Sequence, residues 1–303
     1  MRSSSPKRAV VTVGVFDGVH RAHQRVIRAT IRLAHRLKGT SVVITFDPDP
    51  QQVLSPHAAP PALMPLDARL EALKALGVDR IWVIPFTARF ASMSAEQFIR
   101  QILLRRLRAA ALVVGEAFTF GQHRQGNMAI LRVLGPPSGM RVVCVPQVRR
   151  EGAPVSSSRI RRLIGRGHLA QARRLLGRPP ALYGVVVRGA GRGRRLDVPT
   201  ANIRLTPQIV PPRGVYAVTV RLPGRRRRWR GIMNFGVRPT FGSGPLVCEV
   251  HLLNFSGDLL GRRVSLGLVA RLRAERRFPT PEALRHQIDR DLARASIVLR
   301  HSS

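Results

Sequence analysis

The chain has 303 residues, 44% of them hydrophobic, enough for two domains with a core apiece. Its two cysteines, Cys144 and Cys248, are far apart, which argues against a disulfide framework or a cysteine-ligated metal and fits a reducing compartment. The formal charge of +36 rests on 52 basic residues, of which only Lys7, Lys38 and Lys74 are lysine; arginines spread along the whole chain without RNA-binding or zinc-finger spacing describe a solvated basic surface, able to hold polyanions nonspecifically but not to read nucleic-acid sequence.

The basic start MRSSSPKR leads into only a short apolar run, and no stretch reaches the roughly 18–20 apolar residues of a membrane span. A soluble, cytoplasmic protein is expected, as a monomer or weak oligomer. Val10 to Phe16 reads as a buried strand. Ile27, Ile31, Ala34 and Leu37 then recur at helical spacing, with Gly39 as the stop. A second strand spans 41–46, ahead of the loop DPDPQQVLSPHAAPPALMP. Leu70, Leu73 and Leu76 mark a helix ended by Gly77, and a third strand spans 81–86. Ser94 and Gln97 form a capping-box pattern, and strands at 111–115 and 141–146 complete the set. Strands alternating with helices predict a Rossmann-like, doubly wound parallel sheet.

Beyond GRPP (177–180) the character changes. Five strand-like segments follow without intervening helices, separated by turns rich in Gly, Pro and Arg, as in an antiparallel β-barrel or sandwich. One helix closes the chain, with Thr280 as cap, Pro281 at its first position, and Leu284, Ile288, Leu292 and Ala295 on one face. The organisation expected is α/β followed by β, divided as 1–178 and 179–303.

The stretch VTVGVFDGVHRAHQRVI (11–27) carries chemistry. His20 and His23 fall at the start of the first helix, three residues apart and on one face. A helix N-terminus attracts anions, glycines such as Gly14 and Gly18 let backbone approach a ligand, and imidazoles can stabilise phosphoryl charge. On its own, a histidine pair beside a surface turn is equally consistent with an incidental placement. A second glycine-rich stretch, RGAGRGRRLDVPTANI (188–203), follows a predicted strand and exposes backbone N–H groups as an anion nest. It lacks the G-K-[ST] ending of a P-loop, and alone it also fits a flexible basic turn.

G-x-F-D-G-x-H followed by a second histidine resembles the bacterial FAD synthetases, the family of bifunctional riboflavin kinase/FMN adenylyltransferases. The resemblance continues through TFDPDPQQVL, LDARLEALKALGVDRIWVIPF, GEAFTFG (115–121) and VSSSRIRRLI (155–164), then PTAN (199–202), GVYAV, Asn234 with RPTFG, VCEVHLLNF and FSGDLLG, and so covers nearly the whole chain. It implies two activities. In the first half, His20 and His23 would contact ATP phosphates and stabilise the transferring adenylyl group. Gly14, Asp17, Gly18, Ser156 and Ser157 would line the phosphate site, and Arg161 would hold phosphates from the other side. Phe118 and Phe120, with Asn234 in the second half, would contact flavin.

In the second half, Gly189, Gly191, Gly193 and Pro199 would cradle ATP phosphates, while Thr200 and Asn202 would hold Mg²⁺, which suits a hydroxyl and an amide oxygen. Glu249 would accept the proton of the ribityl 5′-hydroxyl; read alone, it also fits a salt-bridged structural glutamate. His251, on the same strand face, suits packing or the rim. Substrates and products would be riboflavin, FMN, FAD and ATP.

The chain departs from the family pattern at Ala22 for glycine, Asp49 for histidine, Ala117 for Asn or Asp, Ser158 for threonine, Asp197 for glycine and Leu260 for tyrosine. Asp49 is the sharpest, since a carboxylate beside nucleotide phosphates is repulsive unless Mg²⁺ or an arginine offsets it. Two other readings stay open: a monofunctional riboflavin kinase with an altered first lobe, and a nucleic-acid-associated protein using its arginines.

Overall fold

The computed structural model describes residues 8–189, 199–225, 227–237 and 246–300. Gly191, Gly193, Asp197 and the segment 238–242 lie outside the described residues. The chain divides into two compact units, one formed by Met1–Pro61 with Leu66–Ser157 and the other by Ala62–Pro65 with Ser158–Ser303.

In the first unit, five parallel strands take the order β3-β2-β1-β4-β5: β1 (Ala9–Val13), β2 (Thr40–Asp47), β3 (Arg80–Pro85), β4 (Ala109–Gly115) and β5 (Arg141–Val145). All five residues of β1 are buried, as a parallel strand covered on both faces requires. Val11 and Val13 pack into a core with Ile44, Ile99, Leu103 and Leu112. Val10, on the other face, meets Leu33 and Ala34 of α1 (Arg21–Arg36).

The crossovers carry α2 (Pro50–Leu54), α3 (Leu66–Lys74), α4 (Ala88–Ala91), α5 (Ala95–Gln97) and α6 (Met128–Leu134). The expected capping box opens α5: Ser94 and Gln97 exchange side-chain bonds with each other's backbone N–H. The chain then runs on as a π-helical stretch, Phe98–Arg106. Because the strand order reverses beside β1, the carboxyl ends of β1 and β4 flank the topological switch point, where ligands bind in such sheets.

Three local expectations change. The first strand ends at Val13, so Gly14 to Phe16 belong to the following turn. The buried face of α1 is Ile27, Thr30, Leu33 and Ala34, while Leu37 is exposed past the helix end. At that end Lys38, not Gly39, takes the left-handed conformation (φ 49°). Gly39 serves close approach instead, since a Cβ there would lie 2.2 Å from the Arg8 carbonyl oxygen.

After the short hairpin of β6 (Arg149–Arg150) and β7 (Ala153–Pro154) comes α7 (Ser157–Gly165), in which the division between units falls, and then α8 (Leu169–Leu176). The second unit is a closed barrel of β8 (Ala181–Val187), β9 (Ala201–Leu205), β10 (Gly214–Arg221), β11 (Arg228–Val237), β12 (Leu246–Leu252) and β13 (Arg263–Arg273), ordered β10-β11-β12-β9-β8-β13. Of the barrel and the sandwich, the sequence forms the barrel. Closure leaves no open sheet edge. Alternate residues point inward, so Leu182, Tyr216, Val218, Met233, Cys248, Val250 and Leu266 fill the interior.

The closing helix α9 (Pro281–Arg300) is capped by the Thr280 hydroxyl, which accepts from Ala283 N–H at 3.2 Å. Ala295 and Leu299 pack on Val215, Ala217 and Leu272 of the barrel wall. Next to this apolar seam, Arg273 Nε donates to Asp291 Oδ2 at 2.9 Å, and Gln287 Nε2 donates to Oδ1 at 2.8 Å. Asp291 is 5% exposed, so its charge depends on those donors. Asp291→Ala leaves Arg273 unpaired and should cost about 3 kcal/mol of barrel stability. Replacing both partners by apolar residues, Asp291→Leu with Arg273→Met, should recover most of the loss. Urea unfolding of the three proteins checks both.

Candidate functional site

The turn after β1 is pinned at nearly every carbonyl. Val15 O accepts from the Thr45 hydroxyl at 3.0 Å and from Arg69 Nη1 at 2.8 Å. Phe16 O takes the Val19 N–H at 3.0 Å. Asp17 O accepts from the Ser157 hydroxyl at 3.0 Å, and Val19 O from Gln24 Nε2 at 2.9 Å. These bonds hold Phe16 (φ 54°), Gly18 (φ 78°) and Val19 (φ 38°) in the left-handed region. Glycine takes it freely; for a β-branched valine it is a true outlier, of the kind that persists where surroundings over-determine the backbone.

The turn delivers His20 as the N-cap of α1, its Nδ1 accepting from His23 N–H at 3.4 Å. With Nδ1 an acceptor, the proton of a neutral His20 sits on Nε2, from which it can be donated to a ligand oxygen. The two rings stack with centroids 3.5 Å apart and 19° between planes, and the edge of Phe16 backs His23 at 5.3 Å. Burial, and secondarily the charge of His20, hold the His23 imidazole well below its ordinary pKa. Its Nδ1 is buried without a hydrogen-bond partner. A neutral His23 imidazole at the positive end of a helix suits donation to phosphate oxygens.

Ser156 and Ser157 precede and open α7, and Arg161 lies four residues further along that helix. Gly14 is held by a 3.1 Å bond from its N–H to Ile44 O and lies under the Phe16 ring. At the end of β4, Phe118 and Phe120 stack at 5.3 Å and 14°. Phe120 is buried and continues a chain of ring contacts through Phe98, Phe90 and Phe46; Phe118 is half-buried and Ala117 exposed. Phe120 is thus the backing for Phe118.

Sequence reasoning missed Arg69. It sits in LDARLEAL and resembles an exposed helix charge, yet it is 6% exposed on α3. Besides Val15 O, its guanidinium donates to Phe46 O through Nη2 at 2.9 Å. Burial lowers its pKa, opposed by the charges of Asp17, Asp49 and Asp47. The only sequence signal is its i, i+4 relation to buried Leu73. Asp49 caps α2, its Oδ1 accepting from Gln51 N–H at 2.9 Å.

In the barrel, strand register assembles the other site. Asn234 on β11 lies opposite Glu249 on β12, and Glu249 lies opposite Asn202 on β9. Their neighbours Met233, Phe235, Cys248, Val250 and Ile203 point inward, so the three polar side chains form one row on the outer wall. Glu249 is half-buried there and does not burden the apolar interior. The Asn202 amide rests on Gly189, where a Cβ would lie 1.9 Å from Nδ2. His251, two residues along from Glu249, has Nδ1 2.8 Å from Pro199 O. His251 thus clamps the segment that leads through Thr200 into β9, which carries Asn202. Among the described residues no group of three or more His, Cys, Asp or Glu side chains could hold a metal. The amide and hydroxyl oxygens of Asn202 and Thr200, beside backbone that only glycine permits, fit a hard cation shared with phosphates.

Comparison with known proteins follows the same division. A family described as FAD synthetase matches residues 2–159, and one described as riboflavin kinase matches 176–299. A bifunctional riboflavin kinase/FMN adenylyltransferase of Pseudomonas fluorescens is 39% identical over 94% of this chain and 91% of its own length. The protein of the same description from Escherichia coli K12 is 36% identical, over 95% and 92%. A crystal structure from Streptococcus pneumoniae described as a macrolide-efflux protein superposes with a TM-score of 0.84 at 31% identity, covering 97% of this chain and 95% of that one.

Because the folded state holds His23 below the ordinary 6.5, the unfolded chain takes up that proton first as pH falls. The stability associated with a neutral His23 is therefore full above about pH 6.5 and is lost as pH drops toward the folded value. His23→Gln should flatten the dependence of unfolding free energy on pH between about 7 and 5, by at most about 1.4 kcal/mol per pH unit. Urea unfolding at each pH measures the slope.

Proposed function

The chain belongs to the family of bifunctional riboflavin kinase/FMN adenylyltransferases, and from that premise we propose that it phosphorylates riboflavin to FMN within residues 179–303 and adenylylates FMN to FAD within residues 1–178. One observation supports the reading: each family match contains its own grouping of polar side chains. The His20–His23 pair lies within 2–159, and the Asn202–Glu249–Asn234 row lies within 176–299. The efflux description attached to the pneumococcal structure has no counterpart in either family match, and no helix among the described residues is long and apolar enough to cross a membrane.

In the adenylyl transfer, an FMN phosphate oxygen attacks the α-phosphorus of ATP, and the bond to pyrophosphate breaks. The nucleophile is already an anion, so no proton needs removal and catalysis reduces to positioning and charge stabilisation. Nε2–H of His20 and the His23 imidazole donate to the phosphate oxygens where charge builds. Backbone at Gly14, Asp17 and Gly18 lines the phosphates, with Ser156, Ser157 and Arg161 as further partners. Phe118, backed by Phe120, offers the flavin a stacking face.

In the kinase step, Glu249 takes the proton of the ribityl 5′-hydroxyl as that oxygen attacks the γ-phosphorus, and ADP leaves. Thr200 and Asn202 would hold Mg²⁺, which when bound neutralises phosphate charge. Gly189, Gly191, Gly193 and Pro199 would border the phosphates, and Asn234 would contact the flavin. We further assign the protein to the cytoplasm as a monomer or weak oligomer.

Incubating the protein with riboflavin, ATP and Mg²⁺ and separating FMN from FAD tests both halves. Glu249→Gln should lower FMN formation by about 10²–10⁴-fold, while FAD formation from supplied FMN stays within about twofold. His23→Ala should do the opposite, lowering FAD formation by about 10²-fold or more. Equal loss of both activities in either variant would overturn the division of labour, and absence of FAD from the parent protein would leave a riboflavin kinase alone.

A further inference from the structure

The feature that the two reactions leave unused is the buried guanidinium of Arg69. It reaches from α3 to a carbonyl in the turn after β1, Val15 O at 2.8 Å, and to one near the end of the adjacent β2, Phe46 O at 2.9 Å. Its Nε is buried without a partner. A core position on a short helix would ordinarily be filled by an aliphatic side chain, and burying an arginine there carries a desolvation cost of several kcal/mol. Both bonds fall on the carboxyl-end side of the sheet, where β1 runs on into the turn that flanks the switch point between β1 and β4.

We propose that Arg69 is a positioning residue for adenylyl transfer: by holding the Val15 and Phe46 carbonyls it sets the left-handed turn Phe16–Val19 and, through it, the stacked His20 and His23. The proposal rests on the transferase reading. Val15 O is the last backbone acceptor before the first left-handed residue, so its direction decides how the chain enters the turn. Thr45 supplies the other bond to it, but a rotatable hydroxyl alone fixes one direction, whereas the planar fork of Arg69 ties Val15 to Phe46 and so to the neighbouring strand. Left-handed Phe16 and Val19 each cost on the order of 1–3 kcal/mol and need such reinforcement.

Charge explains why the brace is cationic. Asp17, Asp47 and Asp49 all interact electrostatically with Arg69, so the brace also offsets carboxylate charge close to the turn.

Arg69→Met keeps the length and apolar body and removes donors and charge; Arg69→Lys keeps charge and one of the two bonds. The full chain is assayed for FAD formation from FMN and ATP, for riboflavin phosphorylation, and for the His20 and His23 imidazole resonances by NMR. We expect kcat for FAD formation to fall about 10–100-fold in Arg69→Met with KM for FMN within about threefold. Arg69→Lys should recover part of that loss, and riboflavin phosphorylation should be unchanged in both. The His23 resonances should move in Arg69→Met, and their titration midpoint should rise toward that of a free imidazole. Unchanged kcat with unmoved His23 resonances in Arg69→Met overturns the proposal. So does Arg69→Lys that folds as the parent does but is no more active than Arg69→Met. A parent protein that makes no FAD sinks the transferase reading instead, and the His23 resonances still decide whether Arg69 positions the pair.

Discussion

The carbonyl of Val15 is where the first unit turns from scaffold to site. With two donors upon it, one from the adjacent strand and one from a buried arginine, β1 can neither extend past Val13 nor fray. Beyond it come three left-handed residues within four, a helix that begins on a histidine, and a second histidine stacked on the first. Each depends on the one before. A relaxed turn would let His20 leave its capping role, and His23 would then gain water and lose the burial that keeps it neutral. The local strain is a property of the site, supported by the rigid sheet beneath it.

The barrel reaches a comparable result by other means. Cross-strand register alone brings Asn234, Glu249 and Asn202 side by side from positions up to 47 residues apart, without an unusual backbone dihedral at any of them. Closure matters here, because a strand in a closed sheet cannot slip by one residue without turning its whole inward set outward. Val250 and Cys248 inside therefore guarantee Glu249 outside. The Asn202 amide lies on Gly189 and the His251 imidazole on Pro199 O, so the segment presenting Thr200 is held at both ends of its approach to the row.

What could be seen in the sequence was whatever depends on periodicity and on short-range chemistry. Alternation of strands and helices pointed to the doubly wound sheet, the change after 177–180 to an antiparallel barrel or sandwich, and Ser94 with Gln97 to a helix start. The histidine pair stood out by its spacing at a helix start beside glycines, and Glu249 through the family resemblance, since read alone it also fits a structural glutamate. Arg69 did not, because its partners, Val15 O and Phe46 O, are backbone atoms 54 and 23 residues away that leave no trace in composition. Gly39 misled for a related reason. A glycine after a helix suggests a left-handed stop, but here Lys38 bears that conformation and Gly39 makes room for Arg8 O.

Asp49 shows how a substitution that looks hostile to phosphate chemistry is absorbed. Its carboxylate is spent locally, capping α2 through Gln51 N–H, and its remaining charge falls within the field of Arg69. Aspartate is among the strongest helix N-caps, and histidine at the same place would offer a weaker one. The arginine must then serve two demands, bracing neutral carbonyls and offsetting three carboxylates. Only a guanidinium, with five donors in a fixed plane and a charge that does not titrate, can meet both from one buried position.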